Sequence, residues 1–160
     1  MAKVKAGPMS LLERREIEAQ IAAPLVRAFM DEFGHERTQK IVERVIQKLA
    51  RRKGSELAKL AGGNSLKHFA NVVLPVWREG GALDIEIMEA NDQRCSFNVT
   101  RCKYAEMYQQ LGLQKFGCLF SCCRDFAFIS GFNPRLKLKR TQTIMEGDRF
   151  CDFRIVRGRK

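Results

Sequence analysis

The residues best suited to chemistry in this chain collect between positions 97 and 153, within an apolar stretch rich in phenylalanine. Five of the six cysteines fall there. Thiolates attack electrophilic carbon, carboxylates hold cations or activate water, and an arginine fork binds carboxylates. Side chains of these types pointing inward together would form a reaction pocket. The residues are Cys102, Cys118, Cys122, Asp125, Arg140, Thr143, Cys151 and Asp152.

A helix predicted from Phe116 to Ser130 carries an aspartate on an apolar stripe. The three-and-four spacing of one helix face joins Cys118, Cys122, Asp125, Phe126 and Ile129. A carboxyl group in such a position needs a partner. Asp125 therefore either tethers the helix to a strand, for instance through Arg140, or serves a ligand.

Two strands are predicted to bring further polar groups to the same place. In the strand predicted over 136–145, Arg140 shares a face with two leucines and should meet an internal carboxylate or a ligand anion. In the strand predicted over 150–156, Cys151 points inward and Asp152 lies on the opposite face.

The cysteines are expected to be free thiols, because the chain shows no secretory signal and the cytosol keeps thiols reduced. Their spacing does not match a zinc site, since no CxxC or HxxxH pair is present. We therefore predict no metal ligands and assign the cysteines to packing or to chemistry.

The formal net charge of +11 and the pI near 9.7 raise the question of a polyanionic partner. Part of the excess lies in a basic tail at 157–160, and no helix-turn-helix or aromatic-interleaved basic motif is present. These observations argue against a nucleic-acid partner and favour a solvated basic surface.

The start of the chain has no apolar core of a signal peptide, and no apolar run reaches the roughly 18 residues of a spanning helix. We therefore expect a cytoplasmic protein without a membrane partner. Self-association as a homo-oligomer is left open.

The order of periodic segments predicts one α+β domain over 1–160. N-terminal helices and two further helices pack on a mainly antiparallel sheet of about four strands, with a helical portion at 1–80 and the site in an α+β portion at 81–160. A helix is predicted at 10–33, where apolar residues recur every four positions from Ile17 to Phe33, and a second at 36–52 with a short turn to Leu60. The inner stripe of the second helix comprises Ile41, Val42, Val45, Ile46 and Leu49. A third helix is predicted at 65–75, where Pro75 bends or ends the helix and Trp77 follows. A hairpin at 83–100, helices at 102–111 and 116–130, and a hairpin at 136–156 complete the order.

The stretch from Phe97 to Ile155 resembles the 2-amino-thiazoline-4-carboxylic acid hydrolase family of small bacterial proteins. The resemblance depends on Cys122 three residues before Asp125, the Arg-Thr-x-Thr segment at 140–143, Gly147, and the Cys-Asp-Phe run at 151–153.

The resemblance implies hydrolysis of a cyclic isothiourea, 2-aminothiazoline-4-carboxylate, to N-carbamoylcysteine without a cofactor. It implies a small-molecule substrate with a carboxylate, for which Arg140, Thr143 and Asp152 are the expected binding residues. Asp125 would hold the amidine or activate water, and Cys122 or Cys151 would attack the ring carbon. A direct attack by water, with structural cysteines, is the alternative mechanism.

A non-catalytic sensor of small molecules is the alternative function, because a helix-covered sheet with thiols and an arginine also suits ligand recognition. A looser likeness to vinyl-reductase-type ligand-binding domains points the same way at the level of the fold.

Overall fold

The computed structural model describes residues 9–158, and its antiparallel sheet with five helices confirms the predicted α+β fold. The predicted basic tail at 157–160 extends past the described residues, and the chain start lies outside them. The strands run in the order β1-β2-β4-β3, and both predicted hairpins pair as neighbours. They are β1 (Leu83–Ala90), β2 (Arg94–Cys102), β3 (Leu136–Lys139) and β4 (Cys151–Arg157).

Strand β3 is shorter than predicted, and the reason lies in a carboxylate. The predicted strand over 136–145 was wrong beyond Lys139. The backbone N–H groups of Thr141 and Gln142 donate to the Asp152 carboxylate at 2.8 and 2.9 Å. Because these groups bond to a side chain, they cannot continue the ladder with β4.

Two long helices precede the sheet, α1 (Leu11–Phe33) and α2 (His35–Leu60). Helix α1 begins with a capping box, in which Ser10 and Glu13 satisfy each other's backbone N–H groups. Gly34 joins the two helices with a φ of 87°, a conformation that glycine adopts without steric cost. The helices pack against each other as a hairpin.

Helix α3 consists of the segments Leu66–His68, Phe69–Val73 and Leu74–Arg78, the middle one a π-helical turn. Pro75 does not end the helix, which rules out one of the two predicted outcomes. It lies in the first turn of the last segment, where a missing N–H costs little. Trp77 therefore lies within the helix, and its ring packs against three core phenylalanines.

The later helices are α4 (Lys103–Gln110) and α5, which comprises Gln114–Gly117, the π-helical turn Cys118–Cys122, and Arg124–Phe132. Both correspond to predicted helices. The π turn widens α5 at the cysteines, and such turns are frequent at functional sites.

Helix α2 continues through Gly54, where the prediction placed a break. A Cβ atom on Gly54 would lie 2.1 Å from the carbonyl oxygen of Phe128, so the glycine allows α2 and α5 to approach closely. A glycine that suggests a break in the sequence is here a packing residue.

The buried residues form two clusters. One lies between the sheet, α3 and α5, and the other between α1, α4 and the first half of α5. The apolar residues that recur every fourth position on α1 are exposed, and smaller side chains such as Ala19 and Ala23 are buried instead. The inner stripe predicted on α2 is likewise exposed in part, at Ile41, Val45 and Leu49.

Candidate active site

An ion pair between Arg140 and Asp125 lies at the centre of the site. Nη1 of Arg140 donates to Oδ2 of Asp125, and Nη2 donates to the carbonyl oxygen of Cys122 at 3.1 Å. The guanidinium lies 5.2 Å from the ring centroids of both Phe126 and Phe153. The side chains of Arg140 and Asp125 are only 7% and 23% exposed. The sequence left open whether Asp125 tethers its helix to a strand or serves a ligand. The structure shows a tether, from Asp125 to Arg140 just past the end of β3.

The two charges of this pair depend on each other. Burial raises the pKa of Asp125, and the positive charge of Arg140 opposes that rise. Burial lowers the pKa of Arg140, but the charge of Asp125 is the main opposing cause and the net shift is upward. Removing either partner would leave a charge in a poorly solvated place.

Cys118 and Cys122 form a thiol pair on the π turn of α5. A hydrogen bond with Cys122 is the main cause that lowers the pKa of Cys118, and Arg140 lowers it further. The same bond, together with burial, raises the pKa of Cys122 far above its usual range. The pair therefore releases its first proton more readily than its second, and the resulting negative charge belongs to both sulfurs.

Cys151 begins strand β4 and is buried, as the sequence predicted. Its Sγ accepts a hydrogen bond from the backbone N–H of Ile144 at 3.3 Å. Burial raises the pKa of Cys151, while the Ile144 N–H and the charge of Arg140 oppose the rise. Cys151 is therefore a neutral thiol near neutral pH, with a donor in place for a thiolate.

A cavity of about 570 Å³ brings four of the predicted site residues together. Its wall contains Cys122, Asp125, Arg140 and Cys151, and Cys102 adds a third thiol. Cavities of this size hold small organic ligands. Aromatic and aliphatic side chains complete the wall, among them Trp77, Tyr104, Val99, Phe128, Met145 and Phe153.

Thr143 and Asp152, predicted to bind substrate, do not line this cavity. Thr143 is buried and exchanges hydrogen bonds with Glu146, to which its Oγ1 donates at 2.8 Å. Asp152 accepts from the backbone and hydroxyl of Thr141 and from the backbone of Gln142. Both residues hold the segment after β3, which carries Arg140.

The basic side of the cavity was not predicted from the sequence. Arg15 of α1 and Arg124 of α5 line the cavity together with Tyr104 of α4. Burial lowers the pKa of Arg124, and the charge of Arg15 lowers it further. In the sequence, the charged residue Arg124 immediately before Asp125 was the one feature that could have indicated this side of the cavity. The contribution of α1 had no signal, because Arg15 lies about 110 positions away in sequence.

Within residues 9–158, no three His, Cys, Asp or Glu side chains are arranged to hold a metal ion. The same residues contain no helix that is both long and apolar enough to cross a bilayer.

The chain matches a known protein family over most of its length. A sequence model of the family described as L-2-amino-thiazoline-4-carboxylic acid hydrolase matches residues 14–155. No curated protein matches the chain in sequence.

Two of the solved structures that share the fold are each 12% identical to this chain in sequence. One is the phenol-responsive sensory domain of the transcription activator PoxR with phenol, with a TM-score of 0.56. The similarity covers 86% of this chain and 73% of that one. The other is a trafficking protein particle complex subunit 3 from Naegleria fowleri covalently bound to palmitic acid, with a TM-score of 0.54. The similarity to this second structure covers 91% of this chain and 96% of that one.

Proposed function

Because this chain belongs to the L-2-amino-thiazoline-4-carboxylic acid hydrolase family, we propose that it opens the ring of a cyclic isothiourea by hydrolysis. The substrate that fits best is 2-aminothiazoline-4-carboxylate, and the product is N-carbamoylcysteine. One observation supports this most directly: Cys122, one member of the thiol pair, lies at the wall of the same cavity as the carboxylate–guanidinium pair of Asp125 and Arg140. No cofactor is required.

The first step is attack by Cys122 on C2 of the protonated ring. The negative charge of the pair lies mainly on Cys118, which takes the proton of Cys122 as that thiol attacks, so that the sulfur that lines the cavity becomes the nucleophile. A bond forms between Sγ of Cys122 and C2, and the bond between C2 and the ring sulfur breaks. The electron pair stays on the ring sulfur, which takes a proton from the neutral thiol of Cys151.

The second step is hydrolysis of the cationic isothiouronium group now attached to Cys122. Water gives one proton to the Cys151 thiolate while its oxygen bonds to C2. Cleavage of the bond between C2 and Cys122 then restores the thiolate, and the resulting urea loses one proton to solvent. The Asp125 carboxylate stabilises the positive charge of the substrate and of the intermediate.

Thr143 and Asp152 act through Arg140 in this proposal. They fix the backbone after β3, and Arg140 in turn holds Asp125 through Oδ2. No hydrogen bond to Oδ1 of Asp125 occurs among the described residues, so this oxygen is available for the amidinium group.

The test is release of free thiol from 2-aminothiazoline-4-carboxylate. We expect wild-type protein to produce thiol catalytically, and Cys122→Ala to lose at least about 1,000-fold in kcat. Cys123→Ala is the matched control, because Cys123 is adjacent in sequence and does not line the cavity. Full activity of Cys122→Ala would remove the covalent route and leave direct attack by water.

A second function, small-molecule sensing, is supported by the fold shared with the PoxR sensory domain. In that case the ligand binds in the cavity without turnover. Saturable binding of the thiazoline with no thiol released over many protein equivalents would favour the sensor and reject the hydrolase.

We also propose that the chain forms a homo-oligomer through the exposed face of α1 and α2. The eight apolar side chains of this face expose on the order of 700 Å², more than the largest patch of a typical monomer and near the ~800 Å² per partner of a standard interface. They are Ile17, Ile21, Leu25, Phe29, Phe33, Ile41, Val45 and Leu49, each 43 to 61% exposed.

A further inference from the structure

The basic side of the cavity has no role in the chemistry described so far. Arg140 holds Asp125 and the Cys122 carbonyl, so it is poorly placed to bind a second carboxylate as well. We infer that Arg124, with Arg15 beside it, is the anion-binding site of the cavity and holds the carboxylate of the ligand. This inference rests on the proposed function for the identity of that ligand.

The ion pairs around the cavity and the burial of its basic residues together point to Arg124. Six basic and four acidic residues line the wall. Four of the basic residues have acidic partners: Arg15 contacts Glu18, Arg52 and Lys53 contact Glu56, and Arg140 contacts Asp125. Of the other two, Arg14 is exposed, whereas Arg124 is half-buried at the wall, and its side chain makes no hydrogen bond or ion pair within residues 9–158.

The position of Arg15 strengthens the case for an anion. Its side chain is only 15% exposed, and its charge acts on Arg124 and on the hydroxyl of Tyr104. The repulsion of Arg124 by Arg15 is larger than the attraction by Glu18, the partner of Arg15, and an anion at this part of the wall would offset the repulsion. The planar fork of Arg124 suits a carboxylate, which it can bind with two parallel hydrogen bonds.

The location also suits the substrate class. Arg124 begins the last segment of α5, immediately before Asp125, and both residues lie on the wall of the same cavity. A small ring held by its carboxylate on Arg124 can therefore present its amidine carbon to the thiol and carboxylate groups. The site predicts selectivity for ring acids over the same ring without the carboxylate.

The experiment compares 2-aminothiazoline-4-carboxylate with 2-amino-2-thiazoline, which lacks only the carboxylate. Trp77 is the single tryptophan of the chain and lines the cavity, so its fluorescence reports binding without turnover. In a Cys122→Ala background, we expect Arg124→Met to weaken binding of the acid about 10- to 100-fold. Binding of the ring without the carboxylate should change less than about twofold.

Arg44→Met is the control, because Arg44 is an exposed residue of α2 away from the cavity. Arg124→Lys keeps the charge and should retain part of the preference for the acid, which a merely structural role would not produce. Equal weakening of both ligands by Arg124→Met, or none, would overturn the inference. The measurement of binding needs no ring opening, so the two proposals can fail separately. If Arg124 is needed to bind the acid but the wild type releases no thiol, the hydrolase is rejected and the anion-binding site is supported.

Discussion

The Arg140 guanidinium and the Asp125 carboxylate join the segment after β3 to helix α5 across fifteen positions of sequence. This contact fixes both members of the pair at the wall of the cavity, next to the thiols of α5 and β4. Both the geometry of the site and the stability of the fold therefore depend on this ion pair.

Breaking this ion pair by single substitution should destabilise the protein. We expect Arg140→Met or Asp125→Asn to lower the free energy of unfolding by about 3 kcal/mol, because each leaves a charge or its polar partner in a desolvated place. The double variant should be more stable than the sum of the single effects indicates. Urea unfolding of the four proteins measures this coupling, and simple additivity would contradict it.

The sequence predicted the inward direction of Asp125 and Cys151 because helix and strand periods determine which face a side chain occupies. Arg140 is also buried as predicted, although it lies past the end of the strand on which that prediction depended. It did not predict where β3 ends, because that depends on a hydrogen bond from Thr141 to Asp152 on another strand. Local patterns carry no information about such a pairing.

The helix faces show the other limit of the sequence. The large apolar residues that recur along α1 were predicted to pack on the core, but they are exposed. Alanines such as Ala19 and Ala23 are buried instead. Small side chains allow close helix packing, which a pattern based on hydrophobicity underestimates. The contribution of Arg15 to the cavity was not predicted, because it depends on how α1 lies against α5, and no local pattern indicates that placement.

The thiol pair of α5 should react fastest with alkylating reagents. Burial raises the pKa of Cys95, Cys102 and Cys123 to about 11, whereas the hydrogen bond from Cys122 lowers that of Cys118. Iodoacetamide at pH 7.5, followed by peptide mass spectrometry, should label one sulfur of the pair first, since the thiolate is the reactive form. Prior labelling of Cys95 or Cys102 would show that the pair does not share a thiolate.

Asp152 should make stability depend on pH in the acidic range. Burial acts to raise its pKa, but the hydrogen bonds from Thr141 and Gln142 outweigh burial and lower it below its usual value near 3.9. A lowered folded-state pKa contributes stability that is present above the unfolded-state value and is lost as the pH falls through the folded-state pKa.

The wild type should therefore exceed Asp152→Asn in stability by about 1–2 kcal/mol at pH 7, and the gap should shrink below about pH 4. Chemical unfolding of both proteins at several pH values tests this. Asp92→Asn, in the exposed turn between β1 and β2, is the control and should show no such gap. A gap that stays constant down to pH 3 would contradict the assigned role.

Gly54 should tolerate no side chain. Alanine there would place Cβ 2.1 Å from the Phe128 carbonyl oxygen, so α2 and α5 would have to separate. Although alanine favours helices, we expect Gly54→Ala to cost about 2–3 kcal/mol, because overpacking outweighs helix propensity. Ser55→Ala, one position along α2, should change stability by less than about 0.5 kcal/mol. A stabilised Gly54→Ala variant would show that the helices can move apart freely.

The exposed face of α1 should mediate self-association. Ile21 lies in the middle of that face and is 61% exposed, so Ile21→Glu places a charge where apolar side chains would meet. We expect the wild type to have about twice the mass of the 18.3 kDa chain by light scattering, and Ile21→Glu to have the mass of one chain. Gln20→Glu adds the same charge at the neighbouring exposed position and should leave the assembly intact. A monomeric wild type at micromolar concentration would reject the interface.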